Sequence, residues 1–442
     1  MKRTIYTTVS ALALLAAAPL LAQSNNSAVT QSGNSQEATV SQLGANSESD
    51  ITQSNDSNAA TVLQNGSTGS KSTITQSGAG NTADVDQNDD ATGFTPTQTS
   101  EVTQTGNSNS AQVDQNQSTS FGGAPGTKNI SVITQSGDSN IATLAQADDG
   151  QDSFITQTSS GNSAAVSQGV QGAPEGSSSG TTYENYSTVS QAGNGGHNAG
   201  VIQSGIANTS LVDQQGSSND ANVTQAGAGG ISNVYQTGSD GAAIVNQSGG
   251  ASNDSYINQT GTFGTAIATQ NGNGNQSDID QGSTGTQVYP GNDSSYASAN
   301  QVGNSNASDI DQIGNAQWAF VSQIGDGNSS TVDQSGNSNT AEVLQDGNAN
   351  SSTFTQTGGF NNYAFNSGGV AQTGDGNNST VTQNGTSGLV NVLQAGDTNI
   401  STVLQGGTGN IASVSQSSDF NTSTVDQSGT GNIATVTQGL PN

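Results

Sequence analysis

A glutamine that returns about every eleven residues, from Gln31 to Gln438, limits what this chain can fold into more than any other feature. Gln372, Gln383, Gln394, Gln405, Gln416, Gln427 and Gln438 keep that spacing without a slip, and there are 34 such glutamines in all. A short fixed period is the mark of stacked repeats, in which each unit buries its faces against its neighbours.

Residues two, four and six places before each glutamine share one face of an extended strand. Two places before, the residue is always apolar, as at Val29, Val40, Ile51 and Val62, with Ala268, Ala299 and Phe354 as unusual choices. Four places before, Ser and Ala alternate through Ser27, Ala38, Ser49, Ala60, Ser72 and Ala83 to Ser423 and Ala434, broken only by Gly368 and Val390. Six places before, Asn stands in 22 of the 34 segments, among them Asn58, Asn81, Asn109, Asn410 and Asn432. No Asp, Glu, Lys or Arg occupies any of these positions, yet acids are common one and three places before the glutamine, as at Asp84, Asp86, Asp278, Asp280, Asp309 and Asp311. One face excludes charge and the other accepts it, a period-two pattern that a helix would blur.

The Ser/Ala alternation makes the true repeat about 22 residues long, with two distinct strands, and 17 repeats fit between Asn25 and Gln438. The expected fold is all-β: a β-solenoid of 17 stacked two-strand rungs, cross-β and amyloid-like in character. With the two strands of a rung antiparallel across a thin core, Ser faces Val and Val faces Ala, so that small meets large in both central layers. Gly stands two places after the glutamine in 25 segments, usually followed by Asn, Asp, Ser or Gly, which suits the φ > 0 conformations of a tight arc. At the usual strand spacing of about 4.8 Å, the column would be roughly 80 Å tall. The amides of Gln31, Gln42, Gln53, Gln64, Gln76, Gln87, Gln394, Gln405, Gln416, Gln427 and Gln438, and of Asn58, Asn81, Asn109, Asn410 and Asn432, are then placed to bond to like amides above and below or to arc backbone. These are the candidate self-assembly ladders.

Extra residues belong in arcs and not in strands. The longest insertions run from Asn88 to Pro96, Asn116 to Thr127, Gly169 to Thr182, Gly282 to Ser294 and Thr357 to Tyr363, each between a glutamine and the next strand. The chain starts its first strand near Asn25 and ends shortly after its last glutamine, so both ends of the column are expected to lack caps and to act as templates for another copy.

Composition alone would suggest disorder: 29% of residues are hydrophobic, 8% are charged, and 59 are Gly. Repetition in register changes that expectation. Met1-Lys2-Arg3 and the apolar run from Val9 to Leu21 read as a signal peptide, residues 1–22, with cleavage near Ala22, and 23–442 as one repeat domain. The apolar run is too short for a membrane span, so no membrane insertion is expected. Removing it leaves Lys71 and Lys128 against 33 acidic residues, which argues against nucleic acid as a partner. No Cys is present, so disulfides cannot stabilise an exported chain of this sequence.

With one His and no Cys, no catalytic or metal-ligating set emerges, and neither enzyme activity nor a cofactor is expected. His197 takes the place of an Asn and reads as a structural substitution. Trp318 and Phe320 fall on the outward face, fit either to bind a partner or to cover the surface locally. The outward Asp pairs stack on neighbouring layers, which reads first as a solvated face and second as a place to collect calcium.

Segments such as NTADVDQ (Asn81 to Gln87) and NSAQVDQ (Asn109 to Gln115) resemble the repeat of curlins, the subunits of bacterial curli amyloid fibres. The resemblance spans essentially the whole chain after residue 22, with far more repeats than the usual handful. It implies a secreted amyloid subunit that forms a head-to-tail homopolymer, an extracellular fibre on the cell surface supporting adhesion and biofilm matrix. A minor nucleator subunit and an outer-membrane export channel are the further partners it implies. The competing reading is a monomeric secreted β-solenoid, an adhesin or passenger domain.

Overall fold

A computed structural model describes residues 24–43, 45–65, 69–89, 98–117, 128–147, 150–169, 184–282, 295–361 and 369–439. Residues 1–22, read as a signal peptide, lie outside them, as do most of the residues in the five insertions. Among the described residues no helix is long and apolar enough to cross a membrane.

The described chain forms 34 strands, from β1 (Asn26–Asn34), β2 (Glu37–Gln42), β3 (Glu48–Asp56) and β4 (Ala59–Asn65) to β33 (Thr422–Gln427) and β34 (Ile433–Gln438). Odd-numbered strands build one parallel sheet and even-numbered strands the other, 17 in each, so each odd–even pair is one rung of a β-solenoid. Both sheets are open stacks; β2 pairs with β4 at one end of the even sheet and β34 with β32 (Ile411–Gln416) at the other.

Register never slips. Gln31 lies opposite Gln53 and Gln416 opposite Gln438, and the alignment survives the insertions, with Gln76 opposite Gln104, Gln104 opposite Gln135, Gln157 opposite Gln191, Gln270 opposite Gln301 and Gln345 opposite Gln372. A slip of one residue would turn the whole inner face outward, which is why an identical inner pattern fixes the pairing so firmly.

The inner positions of both sheets make one continuous core, from Ile51, Ala60 and Val62 to Val414 and Val425. Alternation of buried and half-buried or exposed residues along most strands between the column ends, as in Lys71–Ser77, follows the sequence pattern. The side chain of Gln53 at the end of one strand reaches the backbone of Glu37 at the start of the facing one, so the two run antiparallel across the core and the Val of each meets the small residue of the other. Between β19 (Asp254–Gln259) and β23 (Ala307–Asn315), and again between β33 and β34, several Cα pairs of consecutive strands lie within 8 Å. Ala268 and Ala299 replace the usual Val in the first of these stretches and are fully buried.

Two arc positions carry positive φ. The glycine two places after the glutamine is one, as expected: Gly336 has φ 107, and a Cβ on it would run into the carbonyl oxygen of Gly358 in the next rung. The other lies four places after the glutamine and accepts many residue types, including Ser108, Ala316, Thr398 and even Phe263, Phe360 and Phe420. Beside Gly327 at that position there is nothing within 4 Å to meet a Cβ, so side chains fit in space although φ is unfavourable.

Candidate self-assembly ladders

Each glutamine of the odd strands donates its Nε2 to the Oε1 of the next, from Gln31 through Gln53, Gln76 and Gln104 to Gln405 and Gln427, at 2.7–3.0 Å and without a break. The even strands do the same from Gln42 through Gln64 and Gln87 to Gln394, Gln416 and Gln438, at 2.8–3.1 Å. Both files run the same way, donor below and acceptor above. The second Nε2 hydrogen crosses to the facing strand: Gln53 donates to the Glu37 carbonyl at 2.9 Å, Gln427 to that of Ile411 at 3.0 Å and Gln438 to that of Thr422 at 2.8 Å. One side chain thus ties a rung to its neighbour and one sheet to the other. Away from the column ends the glutamines are buried, so these amide bonds form in a dry interior where leaving one unmade is costly.

The asparagines work differently. Asn58 Oδ1 accepts the backbone N–H of Asn81 at 2.9 Å, and Asn81 Oδ1 that of Asn109 at 3.0 Å. Asn58 Nδ2 donates to Ser54 in its own arc and to Gly78 in the next, and Asn410 and Asn432 hold the arc carbonyls of Gly406 and Ser428. Side-chain amides of this file bond to one another in a few rungs, as Asn432 to Asn410 at 3.1 Å, Asn421 to Asn399 at 3.0 Å and Asn185 to Gln151 at 2.9 Å. The Asn file is a set of arc staples. His197 fits because its ring supplies the same two functions: Nδ1 faces the Asn219 N–H at 3.3 Å and Nε2 the Ala192 carbonyl at 2.8 Å. That arrangement needs the neutral Nε2–H tautomer, and burial pushes the imidazole pKa down in keeping with it.

A third ladder was hidden in the arcs. Asn304, Asp326, Asn348, Asp375, Asp397 and Asp419 stand three places after their glutamines, and each Oδ1 from Asp326 onward accepts the backbone N–H of the residue below at 2.8–2.9 Å. In the sequence this position, following the arc glycine, suggests only a positive φ.

Outside the column, Asp278 lies opposite Asp309, and Asp280 opposite Asp311, which in turn faces Asp333. Desolvation first, then the neighbouring carboxylates, pushes both Asp278 and Asp311 up to about 6. Among the described residues no group of three or more His, Cys, Asp or Glu is placed to hold a metal ion. On the opposite face Trp318 stacks on Tyr296 (centroids 6.1 Å apart, 11° between planes) and on Phe320 (6.0 Å, 19°), and all three rings are half-buried. The rings cover one another and the sheet beneath.

The model of the curlin-associated repeat matches residues 23–54, 198–227, 303–336 and 336–365. The chain carries curlin-associated repeats. The matched stretches share their strand register with the rungs beside them. No curated protein matches the chain.

Proposed function

We propose that this curlin-repeat protein is a secreted, non-catalytic structural subunit whose columns join end to end into extracellular, curli-like fibres for adhesion and biofilm matrix. The observation that carries this reading is the pair of glutamine files. They run unbroken through every rung, and the end strands, exposed along β1 and half-exposed on the inner face of β34, leave ladder positions for a second copy to continue. The repeat family supports the extracellular setting, with residues 1–22 as the export leader and a nucleator subunit and export channel as helpers. Electron microscopy and fibre diffraction on the purified protein test it. Filaments with reflections near 4.7 and 10 Å are expected; a protein that stays monomeric at high concentration would favour a solitary adhesin instead.

A further inference from the structure

The two ends of the column differ in shape and in hydrogen-bonding character. At the lower end β1 is exposed at every position and Val29 is 44% exposed, whereas Ala38 and Val40 of β2 are partly buried against the core. At the upper end the order reverses: the inner residues of β33 are buried, Val425 only 5% exposed, while Ala434 and Val436 of β34 are half-covered. A chain that climbs as it winds produces this pattern. β1 stands proud below, β34 stands proud above, and beside β34 lies a ledge over β33.

The ladders add a direction. Gln31 and Gln42 spend Nε2 on the rung above, so their Oε1 atoms face the lower end with no donor among the described residues. Gln427 and Gln438 accept from the rung below and use one Nε2 hydrogen on Ile411 and Thr422, which leaves the other facing the upper end.

We infer that the joint between copies is keyed: β1 of one copy seats on the ledge over β33 and beside β34 of the next, in one polarity and at one rotation about the column axis. The inference rests on the end-to-end reading above and adds the geometry of the joint. In this arrangement Gln427 and Gln438 donate to Gln31 and Gln42 of the neighbouring copy, Val29 covers Val425, and Ser27 continues the Ser file over Ser423. Joining like ends would set acceptor against acceptor or donor against donor. A half-turn rotation would place β1 over β34, leave the ledge empty, and set Ser27 over Ala434.

The chain has no Cys, so introduced pairs report the joint without background. Thr30, Asp426 and Thr437 are exposed and each precedes a ladder glutamine by one residue. In an in-register parallel joint, Thr30 faces Asp426 at the strand spacing of about 4.8 Å, inside the range of roughly 4.4–6.8 Å between Cα atoms that a disulfide spans. Full-length T30C/D426C fibres, oxidised and then denatured without reductant, should run as a ladder of covalent multimers on a gel, and T30C/T437C fibres as monomers. Equal linking of both pairs, linking of T30C/T437C alone, or unlinked T30C/D426C fibres would overturn the keyed joint while leaving fibre formation standing. Absence of fibres from the unmodified protein would instead remove the end-to-end reading itself, and the joint with it.

Discussion

Asp213 and Gln214 are consecutive residues on one strand, and their neighbours along the column could hardly differ more. Above and below Gln214 stand Gln191 and Gln236; above and below Asp213 stand Ser190 and Tyr235. The glutamine is fully buried and bonded on both sides at 2.9 Å, so its identity is read by the two rungs it touches. The aspartate faces outward and is half-buried, with Oδ2 accepting from Gln215 Nε2 at 3.2 Å and no rung above or below reading its identity. The difference teaches that repetition here is enforced locally, residue by residue, on one side of each strand, while the other side is left open to variation and charge.

The strongest attack on that contrast is Gln214→Leu. It would strand the Nε2 of Gln191 and the Oε1 of Gln236 in a dry interior and also remove the link to the Asn198 carbonyl. A loss of about 4 kcal/mol in local stability is expected, seen as faster hydrogen exchange in the flanking rungs, whereas Asp213→Asn should change it by less than about 0.5 kcal/mol.

The arcs show the same contrast in backbone form. Gly336→Ala forces a methyl into the Gly358 carbonyl and should cost about 3 kcal/mol, while Gly327→Ala, with open space around it, should cost about 1 kcal/mol from its φ of 68 alone. Comparing the two variants by denaturant midpoint separates collision from conformational strain.

The Ser file sharpens the comparison from the inside. The hydroxyls of Ser49, Ser72, Ser210, Ser232 and others in the file are buried with no hydrogen-bond partner in the structure. Ser210→Ala should therefore stabilise its rung by about 1 kcal/mol, despite changing a position that never varies among odd strands. Nothing in the structure explains why Ser is kept there.

The smallest effect concerns the outer carboxylates. The folded column raises the pKa of Asp278 and Asp311 to about 6, above the ordinary carboxylate value, so folding favours their protonated forms. The stability they contribute is complete below about pH 4 and is lost as pH rises through 6. Rungs around β21 (Gln276–Gly282) should thus show higher protection, relative to the intrinsic exchange rate at each pH, at pH 4.5 than at pH 7, and the double variant D278N/D311N should flatten that dependence. An unchanged slope would mean that solvent screens these charges more than their burial implies.

The strands, their faces, the two-strand rung and the glutamine files were legible in the sequence because a period of two fixes which side chains point inward, and identical side chains at a fixed period can only stack. The arcs were less so. That Asn58 would staple an arc carbonyl and accept the backbone N–H of Asn81, rather than bond to the side-chain amide of Asn81, depends on where the arc backbone sits, which residue type does not specify. The left-handed position that admits Phe263, Phe360 and Phe420 is invisible for the same reason: its side chains are exposed and leave no compositional trace. His197 could be placed in the Asn file from sequence, but its two-handed imitation of an amide required the distances.

Unfailing register has one more consequence. Because each rung meets only its own kind, copying a 22-residue unit anywhere in the gene inserts a storey whose floor and ceiling already match. Height is then a quantity that heredity can adjust in whole steps, and the number of units in the gene serves as a ruler for the object it encodes.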